Sequence, residues 1–368
     1  MTFDGEKLRL ARLFFGWSQA ELGERVAASR QFIHQLELET KIPSQDMRRA
    51  LAAALSVDPK FFELAIKNPV KPEQAHFRQL RTTSLAEKRQ VLAHVTFFEK
   101  FVELLESNFE LPRVDIPERE IETIWSIDRI AEETRRHFGL GLSSPIKSMT
   151  RVLERAGIVV VSFESVGEKV DALSVSRARP IVIRSSGKQS VFRQRFDYAH
   201  ELGHLVMHQG IETGDRDTEG QAHRFASAFL MPREAIMAAF PSSRSVNLDR
   251  IFQFKLKWGV AAAAAIRRLY DLNVIDAAYY RQLNIKMSKL GQRKVERYDD
   301  KYPLETSEII PQCIKKMREG NGPGIIAACR ALNIHEAFLS RLIGETIEEE
   351  RQPSSGSVVH FRARPSHS

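Results

Sequence analysis

The chain has 368 residues, of which 43% are hydrophobic and 28% charged, a globular composition long enough for two or three domains. No apolar run approaches the roughly 18 residues of a membrane span, and the N-terminus carries no signal-peptide pattern. Two cysteines without a disulfide framework predict a cytoplasmic protein, and the net charge of +8 suits a partner that bears phosphates without proving one.

The first 66 residues contain two short predicted helices in tandem. Ser18 is a predicted N-cap, Glu21 completes a capping box, and a helix follows over Gln19–Val26. Ser29 is a second N-cap, which opens a helix over Arg30–Leu36. Two short helices joined by a tight turn within a five-helix set indicate a helix-turn-helix.

This stretch resembles the Cro/repressor-type (XRE) helix-turn-helix domain over about residues 5–66. The resemblance rests on Gln19-Ala-Glu-Leu, on Ser29-Arg30-Gln31-x-Ile33-x-x-x-Glu37 and on Pro43. It implies that the second helix lies in the major groove of double-stranded DNA, where arginine pairs with guanine and glutamine with adenine. The DNA-binding residues it implies are Gln19 (at phosphate), Ser29, Arg30, Gln31, His34 and Gln35. A unit kept for protein docking or dimerisation is the alternative.

Residues 67–120 are predicted to be a helical linker. Apolar residues across Leu85–Phe109 fall at helical spacing and indicate one long helix that joins two parts of the protein. A weak heptad leaves a homodimer contact open, although ordinary core packing is favoured.

Residues 121–245 combine predicted helices with three strand-like runs, at Ile158–Phe163, Ala172–Val175 and Pro180–Arg184. The first run is continuously β-branched, which predicts a central strand. The third is a candidate sheet edge that could hold an extended substrate by strand addition. The fold class predicted for the whole chain is α+β, mostly α.

A predicted long helix, Val191–His208, contains His200, Glu201 and His204 in the pattern H-E-x-x-H. Positions i and i+4 of a helix share a face, so the two imidazoles can bind one metal ion, and the neighbouring Glu201 can take a proton from water. Zinc suits this set, because a catalytic zinc site uses three protein ligands and keeps a fourth position open. From the motif alone, the alternative is an amphipathic helix with two solvated histidines.

The next predicted helix, Glu219–Pro232, supplies Glu219 as the best third ligand. Its distance along the chain from His204 allows a helix–loop–helix return, and a glutamate with two histidines is a known catalytic zinc set.

Together these features resemble the ImmA/IrrE-type zinc metallopeptidases over about residues 120–240. The matching residues are Arg193-x-Arg195-Phe196, Ala199-His-Glu-Leu-Gly-His204 with His208, Glu219-x-x-Ala222-x-x-Phe225-Ala226 and Leu230-Met-Pro232. The resemblance implies one Zn²⁺ per chain, held by His200, His204 and Glu219 in a gluzincin-like set, with Glu201 as the catalytic base.

Three further residues are candidates for supporting roles around this site. Tyr198, His208 and His223 are the candidates for a donor that stabilises the oxyanion of the substrate. His223 departs from the Asn or Asp that is usual in the family, and it is predicted to support the ligands or to be solvated rather than to bind the metal.

The remaining chain is predicted in three parts. Residues 246–300 form a basic helical unit that resembles a helix-turn-helix, in which a packing role is favoured over DNA contact. Residues 301–349 form a C-terminal helical module. Residues 350–368 are rich in Ser, Pro and Arg and are predicted to be disordered.

The two resemblances imply a DNA-binding transcriptional regulator whose zinc-dependent endopeptidase domain cleaves a regulatory protein such as a repressor, in an antirepressor or stress-response role. One alternative is a transcription factor whose peptidase-like domain acts as a sensor or partner-binding module without significant proteolysis. Another is a structural zinc site, which a fourth protein ligand would close.

Overall fold

A computed structural model describes residues 2–77, 84–163, 172–185, 190–211, 213–320 and 322–347. The protein is mostly helical with one small mixed sheet, which confirms the predicted α+β, mostly α class. The predicted disordered tail, residues 350–368, lies outside the described residues. Within the described ranges, no helix has both the length and the apolar character needed to cross a bilayer.

The elements follow one another along the chain with these bounds. The helices are α1 (Gly5–Phe14), α2 (Gln19–Arg25), α3 (Arg30–Glu37), α4 (Gln45–Ala54), α5 (Leu85–Asn108), α6 (Ser126–His137), α7 (Met149–Arg155), α8 (Val191–Met207), α9 (Arg216–Leu230), α10 (Arg233–Ala239), α11 (Leu248–Trp258), α12 (Ala262–Asp271), α13 (Ala277–Lys289), α14 (Ile309–Arg318), α15 (Ile325–Leu332) and α16 (Glu336–Ile343). The strands are β1 (Ala75–Phe77), β2 (Val159–Phe163), β3 (Ala172–Val175) and β4 (Ile181–Ser185).

The helix caps predicted near the N-terminus are present. Ser18 Oγ accepts the N–H of Glu21 at 3.2 Å, and the Glu21 carboxylate accepts the N–H of Ser18 at 2.6 Å, which completes the capping box. Ser29 Oγ accepts the N–H of Phe32 at 3.1 Å and so starts α3. Both helices begin where their capping chemistry predicts.

The predicted five-helix set at the N-terminus is wrong in its last element. After α4 the chain forms a 3-10 helix of five residues, Pro59–Glu63, rather than a fifth α-helix. Asp58 caps this turn, and Phe61 and Phe62 are both buried. The turn ends after five residues because the backbone of the next residue, Leu64, is extended rather than helical.

The N-terminal helices share one hydrophobic core with α5 and with the C-terminal helices; we name this the first core. Phe338 of α16 stacks on Phe14 of α1 at 4.4 Å between ring centroids and meets Phe97 of α5 at 5.3 Å. The backbone N–H of Asp58 donates to the carbonyl of Asn333 at 2.9 Å. The long predicted helix is therefore present as α5 and is packed into a core, while a homodimer stays a prediction.

The sheet order is β1-β3-β4-β2, which corrects two predictions about its strands. β2 is at an edge rather than in the centre, because among the described residues it pairs only with β4, in parallel. Its β-branched residues are nevertheless buried, since α7 and α14 pack against it. β4, predicted as a candidate edge, lies between β2 and β3 and offers no free side to a substrate.

The segment 67–120 contributes a strand as well as a helix. β1 pairs antiparallel with β3, with Ala75 opposite Val175 and His76 opposite Ser174. No pattern in the sequence indicated this strand, because three residues are too few to show alternation. The outer edge of β3 is therefore covered by the chain that precedes α5.

The sheet separates the first core from a second core, which contains α8, α9 and the helices around them. Val159 and Val161 of β2 face the first core, whereas Val160 faces the second. Side chains of successive strand residues point to opposite faces, so one short sheet is buried on both sides. The two parts of the protein are joined across this layer.

The basic unit at 246–300 buries some of its cations. Lys255 of α11 is fully buried and forms ion pairs with Glu296 at 2.8 Å and with Asp299 at 2.6 Å. Arg268 of α12 is 1% exposed and binds Asp128 at 2.7 Å. Lys255 holds the unit together and Arg268 ties it to α6, so neither cation is available to a phosphate backbone, in agreement with the favoured packing role.

A glycine allows α8 and α9 to approach each other closely. A Cβ atom at Gly203 of α8 would lie 2.9 Å from Cδ1 and 3.2 Å from Cβ of Phe225 on α9, closer than carbon atoms normally pack. Gly203 is the residue before His204, so the same contact sets the distance between the motif helix and Glu219.

We expect Gly203→Ala to push α8 and α9 apart. Overpacking of this kind lowers the free energy of unfolding by about 1–3 kcal/mol, which thermal or denaturant unfolding would measure. Gly220→Ala in α9 is the matched control, because a Cβ atom there meets nothing within 4 Å. The control should be neutral or stabilising, since alanine is the better helix former. Equal effects of the two substitutions would contradict this account of the helix contact.

Candidate metal centre

The motif helix α8 places its two imidazoles side by side in the interior. His200 and His204 are both fully buried, and their Nε2 atoms lie 3.1 Å apart. One helical turn between the residues produces this arrangement, because positions four apart stack along one face. The two rings point their Nε2 atoms at the same point in space.

Glu219 of α9 reaches both imidazoles. Its Oε2 lies 3.3 Å from His200 Nε2, and its Oε1 lies 3.3 Å from His204 Nε2. Each carboxylate oxygen therefore faces one imidazole nitrogen across a short gap.

These three side chains fit a zinc ion. Ligand atoms about 2.0–2.1 Å from a tetrahedral zinc are separated by roughly 3.3 Å, close to the distances between the two Nε2 atoms and the Glu219 oxygens. Two imidazole nitrogens and a carboxylate that converge in the interior are also the donor set that this metal prefers.

His208 determines which nitrogen of His204 can bind a metal. The Oε1 atom of Gln221 can only accept, so His208 Nε2–H donates to it at 2.8 Å. Burial lowers the pKa of His208, which keeps the ring neutral and leaves its Nδ1 as an acceptor. His204 Nδ1–H then donates to His208 Nδ1 at 2.9 Å, and the lone pair of His204 is directed from Nε2. His208 is thus brought to the site as a support for His204.

Tyr198 is not brought to this site. Its ring is 1% exposed and belongs to the second core. Its hydroxyl group contacts Gln194 Nε2 at 3.2 Å, and burial raises the pKa of Tyr198. It lies two residues before His200, on the opposite side of α8, which a count along the helix also indicates.

His223 lies closer to the metal ligands than the sequence predicted. Ligand atoms of His200, Glu219 and His223 all lie within 4.8 Å of one another. The Nδ1–H of His223 donates to the backbone carbonyl of Glu219 at 2.8 Å, one turn earlier on α9. This bond orients the ring and leaves the lone pair on Nε2, as is usual for histidines that bind metals.

Glu201 is fully buried and hydrogen-bonded to the sheet. Ser174 of β3 donates from Oγ to Glu201 Oε2 at 2.6 Å, and Ser174 is itself fully buried. The sequence did not reveal Ser174, because only the pairing of β3 within the sheet places this serine against α8. The bond fixes the orientation of the carboxylate beside the two imidazoles.

A second histidine from outside the motif also lies at the site. The ring of His76, in β1, is parallel to that of His204 within 5°, with 5.1 Å between centroids. His76 Nδ1 bonds to Thr213 Oγ1 at 2.8 Å. Burial is the largest cause that lowers the pKa of His76, so this ring is neutral. The sequence offered no signal for this residue.

The residues predicted to bind DNA lie on α2 and α3, in the N-terminal unit. Arg30, Gln31 and His34 are exposed on α3, while Gln35 is partly buried and Ser29 caps the helix. Gln19 Nε2 donates to Glu37 Oε2 at 2.7 Å, and Glu37 also binds the buried guanidinium of Arg12. Gln19 is therefore held by an internal ion pair, and the DNA-binding roles of all six residues stay predictions.

One protein-family model matches the part of the chain that contains the candidate site. Residues 153–270 match the Peptidase M78 family model, described as the IrrE N-terminal-like domain. This supports the metallopeptidase part of the predicted resemblance, and it does not extend to the N-terminal helices. No curated protein matches the chain.

We expect the purified protein to bind one zinc ion per chain. His204→Ala should abolish this binding, and His208→Ala should weaken it about 10–100-fold, because the tautomer and orientation of His204 are then no longer fixed. Competition with a chromophoric chelator measures both affinities. His137→Ala is the control, since this histidine pairs with Asp115 on the surface, and wild-type affinity in His208→Ala would contradict the supporting role.

Proposed function

We propose that this protein is a zinc-dependent endopeptidase that also binds DNA and that cleaves a regulatory protein such as a repressor. One observation carries the peptidase half: Glu219 converges on His200 and His204 while Glu201 lies beside them, next in sequence to His200. The family match over residues 153–270 supports the same class of activity.

The chemistry follows from the residues around the site. When bound, a zinc ion would act as a Lewis acid, which polarises a peptide carbonyl and lowers the pKa of water to about 7. Glu201 takes the proton of the attacking water on its carboxylate and returns it to the nitrogen of the leaving amine. Ser174 holds that carboxylate in place. Of the three candidate oxyanion donors, His223 is favoured by position, because it is exposed beside the ligands while Tyr198 faces the second core and His208 is engaged with His204 and Gln221. Since its Nδ1–H is bonded to the Glu219 carbonyl, His223 can donate from Nε2 only as the protonated imidazolium.

The DNA-binding half of the proposal concerns α3. Arg30, Gln31 and His34 lie exposed on one short helix, in the arrangement that direct contact with base edges requires. The net charge of +8 favours association with a polyanion. Together with the resemblance to repressor-type helix-turn-helix domains, these features support a gene-regulatory protein as the substrate, and a cytoplasmic site of action.

A second candidate function is favoured by the position of His223. His223 lies within reach of His200 and Glu219 and could add a fourth ligand, which would complete a closed set of protein ligands and leave no position for reacting water. The protein would then be a DNA-binding regulator whose peptidase-like domain senses a signal or binds a partner without significant proteolysis.

Glu201→Gln separates the two functions. The substitution removes the base while keeping the shape of the side chain, so we expect zinc binding and DNA binding to persist and cleavage to fall by about 10²–10⁴-fold. Mass spectrometry of protein N-termini in cells would detect cleavage products that accumulate with the wild type and not with the variant.

The matched control for this experiment is Glu234→Gln, at an exposed glutamate of α10. It should leave the N-terminal peptides unchanged from the wild type. If cells carrying Glu201→Gln show the same N-termini and the same phenotype as the wild type, the endopeptidase proposal is wrong and the sensor function is favoured.

We expect the double substitution Arg30→Ala with Gln31→Ala to flatten sequence preference in DNA binding. Each lost base contact should cost about 1–3 kcal/mol on the preferred site and little on random DNA. Binding to a site selected from a random library, compared with an unrelated duplex at the same salt concentration, measures this difference. Arg49→Ala on α4 removes a similar exposed charge and should preserve the preference; if it alters preference as much, α3 is not the recognition helix.

A further inference from the structure

β1 occupies the edge of the sheet that lies against the metal centre. It comes from the chain before α5, outside residues 153–270, and pairs antiparallel with β3. The ladder continues beyond the strand, because the N–H of Ser176 donates to the carbonyl of Gln74 at 3.0 Å. Without β1, β3 would be an edge strand with unpaired backbone groups.

His76, the middle residue of β1, lies against the candidate metal ligand His204. His76 is paired with Ser174, so both side chains point to the same face of the sheet. Ser174 reaches Glu201 on that face, and His76 stacks against His204. His76 is 2% exposed, and among the described residues its Nε2 finds no hydrogen-bond partner. A buried nitrogen without a partner costs free energy, and the structure retains it next to the metal ligands.

The three residues of the motif are covered in this arrangement. His200, Glu201 and His204 are each fully buried. An endopeptidase must admit an extended chain, and the usual way for a sheet to hold one is to pair it with an edge strand. The edge nearest Glu201 is that of β3, and β1 already fills it.

One arginine fastens the segment that carries β1. Arg177, just after β3, donates to Gln74 Oε1 and to the carbonyl of Asn68, each at 2.9 Å. The same guanidinium is paired with Glu99 of α5 at 2.9 Å, and both side chains of the pair are largely buried. These contacts hold the chain on either side of residue 70 against the sheet and α5.

We propose that β1 is a built-in occupant of the substrate-binding edge of β3, and that an extended segment of the protein substrate binds this edge antiparallel only when β1 leaves it. The inference rests on the proposed endopeptidase function and adds its regulation: the protein is held latent by its own strand. The substrate is recognised through its backbone, so the sequence preference of cleavage is set by side chains beside the paired residues.

A disulfide across the strand pair can lock β1 in place. Residues 74 and 176 form a hydrogen-bonded pair, so Ala75 and Val175 form the next, non-hydrogen-bonded pair, where Cα atoms lie about 4.5 Å apart. This is within the range that a disulfide spans. Both side chains face the first core, away from the metal centre. Ala75→Cys with Val175→Cys is therefore a lock whose reduced form is its own control.

A second pair of variants tests release. Arg177→Ala removes the contacts to Gln74 and Asn68. Arg179→Ala is the matched control, because Arg179 is equally buried and binds Glu106, Pro112 and Gly157, none of which belongs to the segment of β1. We expect faster amide hydrogen exchange in β1 for Arg177→Ala than for Arg179→Ala, a measurement that needs neither metal nor substrate.

The probe for the open site is a peptidyl hydroxamate, an extended zinc chelator, added to the zinc-loaded full-length protein. We expect Arg177→Ala to bind it at least about tenfold more tightly than Arg179→Ala or the wild type. The reason is that a larger fraction of the molecules has β1 away from β3 and can accept the probe. The oxidised lock should lose binding, and reduction should restore it. Equal binding by the oxidised and reduced lock, or cleavage by the oxidised lock, would overturn the proposal.

The outcomes separate this inference from the proposed function. If hydroxamate binding follows the lock and release variants but no protein is cleaved by any of them, β1 does occupy the edge and only the endopeptidase activity falls. The opposite outcome is that Arg177→Ala cleaves protein in a reaction that requires Glu201, while the oxidised disulfide changes neither probe binding nor cleavage. The endopeptidase function is then correct, and β1 is a permanent part of the sheet.

Discussion

The contact between α8 and α9 is the constraint on which the rest of the site depends. Two imidazoles and a carboxylate lie in the interior, where isolated polar or charged groups are costly unless they are paired. They are paired only because Gly203 lets Phe225 approach and so brings Glu219 within 3.3 Å of both rings. Packing of apolar atoms therefore determines the distances between the polar ones. On the other side of His204, a hydrogen bond to His208 and one from His208 to Gln221 complete the pairing.

The sheet gives this site its second constraint. It is four strands wide among the described residues and is buried on both faces. β1 comes from the chain before α5, and β2, β3 and β4 come from the chain after it. Ser174 points from the sheet toward Glu201, while Val175, the next residue, points into the first core. The peptidase part and the N-terminal part thus share a layer, and a displacement of β1 affects a ladder that belongs to both.

The sequence was informative where function or capping depends on neighbours in the chain. The i, i+4 spacing of His200 and His204 and the N-caps Ser18 and Ser29 are local patterns, and the structure has each of them in the expected form. Contacts between segments that are far apart in the chain could not be predicted from the sequence. His76 and Ser174 reach the site only through strand pairing, and the order of the strands likewise depends on pairing between segments that are far apart in the chain. The same reason explains the wrong assignment of β4 to an edge.

The stacking of Phe338 on Phe14 joins α1 and α16 in one core although they are far apart in the chain. A ribosome releases the N-terminal helices first, at about 5–20 residues per second, and the helix that completes their core emerges long after them. For tens of seconds during synthesis, the apolar faces of α1 and α5 lack their final partner. The N-terminal helices can therefore complete their hydrophobic core only after α16 has been synthesised. Until then, their exposed apolar faces are the surfaces that a chaperone would bind.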